Sequence, residues 1–183
     1  MKNQTFEPIV DLIRKTEQIL VERCRLTQVE TYPWVSEKQV QPFLSSLPDN
    51  RFLKLQNPVN PECPLLRDSL VYQFGGVATN NAKFFDTFGI FDTGKVRTTQ
   101  PVQNDENTAY AKAHLDEQFR TGILLYRKSL NSREEDTLLE AKGIVEMLLA
   151  ALGLTGEQGA ILLYEPTTFP YFHPKKQGNI CYQ

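Results

Sequence analysis

Histidine and cysteine, the residues most often used to hold metals, are scarce in this chain: two His and three Cys in 183 residues. Cys24, Cys63 and Cys181 are odd in number and far apart, with no C-x-x-C and no paired His/Cys spacing. That excludes a recognisable zinc motif and gives no disulfide framework, so the three read as reduced structural thiols. Charge of one sign is lacking too, because 20 Lys and Arg against 22 Asp and Glu leave a net charge of −2. A domain that grips an RNA backbone by itself usually shows a basic excess or stripe, and none is present. No apolar run approaches the ~20 residues that span a bilayer, and residues 1–10 have no apolar core of signal-peptide type. The expectation is a cytoplasmic protein with no membrane partner. Gly75-Gly76 satisfies neither glycine pattern of a phosphate loop. The glycosylation sequon Asn3-Gln4-Thr5 carries no weight without a secretory route.

What is present is a globular composition, 40% hydrophobic and 23% charged, with 10 Gly and 11 Pro. The length is that of one ordinary domain, able to bury roughly 70% of its unfolded surface. Helical spacing of Ile9, Leu12, Ile13, Thr16, Ile19 and Leu20 predicts an amphipathic helix over 8–24, with Pro8 suited to its first turn. A strand over 27–35, bent by Pro33, should lead to a Ser36-capped helix over 37–46 and then to a strand carrying Leu53 and Leu55. Asn57-Pro58 and Asn60-Pro61 force extended or turn backbone. Pro64 is expected to open a helix with Leu66, Leu70 and Phe74 on one face, frayed or ended at Gly75-Gly76. A strand over 84–92, a turn at Thr93-Gly94-Lys95 and a strand over 118–127 follow. The clearest helix is 134–152, with a Ser132/Glu135 capping box and Gly153 at its C-cap. Strands at 160–165 and 178–182 complete an α+β pattern, an antiparallel β-sheet flanked by helices.

Four segments in order carry a resemblance: LKLQNPVNPECPLLRDSL over 53–70, FGIFDTGKV over 88–96, KGIVEMLLAALGL over 142–154 and FHPKKQGNI over 172–180. Together they resemble the catalytic-like module of the bacterial phenylalanyl-tRNA synthetase β subunit. The resemblance runs nearly end to end and implies a single class II aminoacyl-tRNA synthetase-like module over 1–183. It implies a module that has lost catalysis, the active site lying on the α subunit of a tetramer of two α and two β chains. ATP and magnesium would serve the whole complex rather than this module, and tRNA(Phe) would be met through the assembled complex. The residues that match the motifs are Asn57, Pro58, Leu66, Arg67, Gly94, Lys142, Gly143, His173 and Pro174, all in structural roles. No catalytic residue and no metal ligand is implied. Residues 8–35 correspond to the class II dimerisation segment, which makes Tyr32, Trp34 and Phe43 candidates for the contact with the α subunit, with plain core as the alternative for each. Asp92 stands where the family has Glu, and Lys175-Lys176 replace its Gly-Arg. The chain stops at Gln183, about one hairpin short of where the family module closes, so a truncated module is expected.

Class II catalysis needs two arginines that clamp ATP phosphates and a glutamate that orients the adenylate. Arg67 is the only arginine near the matching place, and the predicted helix would give it an ion pair or a helix-to-loop hydrogen bond; contact with ATP is the other reading. His173 would order a loop, since general-base chemistry needs a second titratable group and only Lys175 and Lys176 are near in sequence. His114, in a polar stretch, reads as solvated, and Glu134-Glu135-Asp136 as a complement to a helix dipole. Three other functions compete: a stand-alone amino-acid-activating enzyme, a free-standing synthetase paralogue that regulates or binds a ligand, and an unrelated α+β binding module.

Overall fold

A computed structural model describes residues 8–44, 52–99, 115–128, 134–155, 162–166 and 177–182. The described elements run α1 (Pro8–Glu22), β1 (Thr27–Gln28), β2 (Trp34–Val35), α2 (Glu37–Leu44), β3 (Leu53–Lys54), β4 (Leu65–Leu66), α3 (Val71–Asn81), β5 (Thr87–Thr99), β6 (Leu115–Arg127), α4 (Glu134–Ala151), β7 (Leu162–Pro166) and β8 (Gly178–Tyr182). They form three sheets, ordered β1-β5-β6, β2-β4-β3 and β7-β8. β1 lies parallel to β5, Thr27 opposite Ile90, whereas β4 is antiparallel to both β2 and β3. β7 and β8 are antiparallel, with Leu162 opposite Tyr182. The chain divides into two compact units, one of residues 1–28, 84–91 and 123–183, the other of 29–83 and 92–122.

In the first unit α1 turns Thr16 and Leu20 inward. Leu20, Leu26, Phe91 and Ile144 form the core, with Cys24, Ile123, Leu125 and Leu148 packed against it. The chain leaves α1 through Arg25, whose φ of 54° lies in the left-handed region. The Leu26 amide then donates back to the Leu20 carbonyl at 3.1 Å, which aims Leu26 into the core. At the end of β6, Lys128 is tied to Asp86 through both backbone and side chain, at 2.8 Å each. Gly153 adopts φ +74° after α4, the left-handed C-cap that its place in the sequence predicts. Burial raises the pKa of the Cys24 thiol.

The second unit is built on Val35, Val40, Leu65 and Tyr72, with Phe43, Phe52 and Val71 against them. Phe43 and Phe52 meet the Tyr72 ring edge-on, at centroid distances of 5.0 and 5.7 Å. Ser36 and Gln39 cap α2 reciprocally: the Gln39 amide donates to Ser36 Oγ at 3.2 Å, and the Ser36 amide to Gln39 Oε1 at 2.9 Å. On β5 and β6, Glu117 takes ion pairs from Lys95 and, at 2.6 Å, from Arg97.

The α+β architecture with antiparallel-rich sheets agrees with the sequence pattern, but several boundaries do not. The helix expected from Pro64 is absent; Leu65 and Leu66 instead form β4, paired on one side with Val35 and Trp34 and on the other with Lys54 and Leu53. Backbone pairing on both edges outweighs the helical spacing of Leu66, Leu70 and Phe74. The helix begins only at Val71, whose amide is 3.3 Å from Ser69 Oγ, and it runs through Gly75-Gly76. Two interior glycines cost about 1 kcal/mol each, offset by the inward-facing Tyr72, Gln73 and Phe74 of the preceding turn. No turn interrupts 93–95, because β5 continues to Thr99 and buries Val96. The strand expected over 27–35 is split between two sheets as β1 and β2. The Ser132 capping box lies outside the described residues.

Phe91 is fully buried at the centre of its cluster, so Phe91→Ala should cost about 3–5 kcal/mol in urea unfolding. The hydrogen bond from Lys95 is the largest influence lowering the Glu117 carboxyl pKa. A carboxyl lowered in the folded state stabilises above its unfolded pKa and loses that contribution as pH falls through the folded one. The stability difference between wild type and Glu117→Gln should therefore be present at neutral pH and vanish in acid, as read by melting temperature against pH.

Candidate functional site

Arg67 follows directly on β4 and is 3% exposed, and Asp92 of β5 is equally buried. The guanidinium Nη1 donates to Thr31 Oγ1, to Gln73 Oε1 at 3.0 Å and to Asp92 Oδ2 at 3.4 Å. The Thr31 hydroxyl in turn donates to Asp92, so the threonine relays between the two charges. Nε donates to the Lys95 carbonyl at 3.1 Å. Burial lowers the Arg67 pKa and the neighbouring Asp92 opposes that shift; an arginine stays charged at any physiological pH. Gly94 gives the guanidinium its room, since a Cβ there would collide with Arg67 Nη2.

The same cluster pins residues 31–34. Gln73 Nε2 donates to the Tyr32 carbonyl and, at 3.3 Å, to the Trp34 carbonyl, while the Arg67 amide donates to the Pro33 carbonyl at 3.0 Å. Held in this way, Tyr32 stacks on Trp34 with centroids 5.1 Å apart and planes inclined by 13°. Beside the pair opens a cavity of about 770 Å³, lined among others by Glu30, Gln39, Val59, Cys63 and Val77.

The candidates from sequence are distributed as follows. Arg67, Gly94, Tyr32 and Trp34 belong to one cluster. Arg67 stands after a strand rather than within the expected helix. Phe43 is engaged in the core against Tyr72. Leu66 is half-buried in β4, Asn57 is exposed and Pro58 half-buried in the turn before it. Lys142 pairs with Glu146 at 3.6 Å on α4, and Gly143 is exposed there with open space around it. His114, His173 and Pro174 lie outside the described residues. Sequence reasoning missed Thr31 and Gln73 altogether. A polar Gln73 between the apolar Tyr72 and Phe74 was the available signal, since a buried amide needs partners. Also unforeseen, Ile9, Val10, Leu12 and Val21 of α1 are exposed.

Known proteins resemble this chain in sequence and in fold. The model of the phenylalanyl-tRNA synthetase beta chain CLM domain matches residues 1–183. The chain is 29% identical to the phenylalanine–tRNA ligase beta subunit of Onion yellows phytoplasma (strain OY-M) over 173 residues, 93% of this chain and 18% of that protein. It thus spans less than a fifth of that relative's length. Among solved structures, a pyrrolysyl-tRNA synthetase of Desulfitobacterium hafniense superposes with a TM-score of 0.64 at 16% identity, over 91% of this chain and 52% of that one. An ATP phosphoribosyltransferase regulatory subunit/histidyl-tRNA synthetase of Bacillus halodurans gives 0.59 at 13% identity, over 89% and 39%. The fold is that of the class II aminoacyl-tRNA synthetases.

Removing one partner of a buried ion pair strands the other charge. Arg67→Met should lower the unfolding free energy by about 3–5 kcal/mol, and Arg67→Met with Asp92→Asn should recover part of it, both measured by urea denaturation.

Proposed function

The chain belongs to the family of the phenylalanyl-tRNA synthetase beta chain CLM domain, and from that premise we propose that it is a non-catalytic structural module of a phenylalanine–tRNA ligase β subunit. It packs against the catalytic α subunit and so supports ATP-dependent charging of tRNA(Phe) with phenylalanine in the cytoplasm. Arg67 carries this reading. The arginine nearest to where a phosphate clamp would be sought is buried and spends its hydrogen bonds on Thr31, Gln73, Asp92 and a backbone carbonyl. An arginine so engaged would have to abandon a buried carboxylate to reach a nucleotide, at the cost of an unpaired charge. ATP and magnesium are accordingly assigned to the α subunit, and tRNA(Phe) contact to the assembled heterotetramer.

Support for docking comes from apolar surface. Ile9, Val10, Leu12 and Val21 expose side chains on α1, and Tyr32 exposes 69% of its surface beside Trp34. Exposed apolar and aromatic groups of this kind mark protein–protein contacts. Tyr32 and Trp34 are assigned to the docking surface and Phe43 to the core behind it.

Mixed with a bacterial phenylalanyl-tRNA synthetase α subunit and run on gel filtration with light scattering, the chain should co-elute as a complex of defined mass. Two separate folded peaks would refute the scaffold role.

A further inference from the structure

The cavity beside the Tyr32–Trp34 pair has a chemical character of its own. Among the described residues that line it, Glu30 is the only charged one. Its carboxylate is exposed and has no hydrogen bond or ion pair among the described residues. Tyr32 lays one face on the indole of Trp34, and the residue as a whole is still 69% exposed. Val59, at 90% exposure, extends the apolar surface past the rim of the cavity. A small ligand would leave that rim uncovered, whereas a polypeptide segment would cover it.

We propose that this groove receives an arginine side chain presented by an apolar segment of the α subunit, its guanidinium lying on the Tyr32 ring beside Glu30. The proposal rests on the docking reading above and names the chemistry that the docking surface selects. An aromatic face attracts a cation through its quadrupole, and a planar guanidinium can stack there while donating to a carboxylate alongside. An ammonium can do only one of these well. The Val59 side of the groove meets the apolar residues that flank the arginine. Pre-organisation adds to the case. Thr31, the Tyr32 carbonyl, the Pro33 carbonyl and the Trp34 carbonyl are each held by Arg67, Asp92 or Gln73. The aromatic pair is thus presented without the ordering cost that a loose loop would incur on binding.

Titration calorimetry of the α subunit with the wild-type chain, Tyr32→Ala and Glu30→Gln tests the proposal. Both side chains are exposed, and unchanged melting temperatures will verify that the variants fold. Tyr32→Ala should weaken binding about tenfold. Glu30→Gln should weaken it about threefold to fivefold and flatten the dependence of affinity on salt. Weakening by Tyr32→Ala with no change for Glu30→Gln would overturn the arginine and leave an apolar contact. Wild-type binding that neither variant weakens would overturn the groove while leaving the docking reading intact. A wild-type chain that does not bind the α subunit would remove the docking reading and this proposal together.

Discussion

A guanidinium withdrawn from water loses more than any single hydrogen bond returns, so Arg67 can be buried only where several acceptors surround it. Those acceptors come from separate stretches of the chain: Asp92 and the Lys95 carbonyl from β5, Gln73 from α3 and Thr31 from the segment between β1 and β2. Each stretch is thereby fixed relative to the end of β4. Gly94 enters the same constraint from the other side, because any side chain there would take the space of the guanidinium. The register of β5 against the β2-β4-β3 sheet is also held by the Arg97 amide, which donates to the Arg67 carbonyl at 2.9 Å. One arginine therefore positions the backbone through its own peptide group as well as through its side chain.

This arrangement bears on how a synthetase-like fold would serve the proposed scaffold role. In the proposed reading the interior polar groups are satisfied by one another, and the surface that matters is apolar and aromatic. The cluster converts a buried charge pair into positional accuracy at Tyr32 and Trp34, whose carbonyls it holds. Salt bridges of this kind add little net stability compared with a well-packed apolar substitute. Their use here is to specify where a short, irregular segment lies, which two-residue strands alone would define poorly.

Much of the fold was legible because periodic burial is a local property. The helical spacing of Ile9, Leu12, Thr16 and Leu20 predicts α1, although of these only Thr16 and Leu20 are buried, and α4 follows from the spacing of Leu138, Ala141, Val145 and Leu148. The reciprocal hydrogen bonds of Ser36 and Gln39 confirm the cap expected at Ser36. Reading failed at 64–70, where leucines at helical spacing are also leucines next to two strands in need of partners. Nothing local distinguishes those cases; the pairing of Leu65 with Val35 and Lys54 does. It failed again at Thr93-Gly94-Lys95, where a glycine that resembled a turn is a point of close approach within a strand.

By itself, then, the sequence determined the composition of a folded α+β domain, its main helices and the motif order that carries the family. These depend on residues near one another in the chain, where spacing and propensity act directly. Tertiary structure alone decided that Arg67 is captured by Asp92, Thr31 and Gln73, that Phe43 turns to the core, and that Tyr32 lies open beside Glu30, which has no hydrogen bond or ion pair among the described residues. The hydrogen bonds that capture Arg67 span 25 positions to Asp92 and 36 to Thr31, and Gln73, only six away, reaches 41 positions back to the Tyr32 carbonyl. Such contacts form only once burial has brought distant segments together and every buried polar group has had to find a partner there.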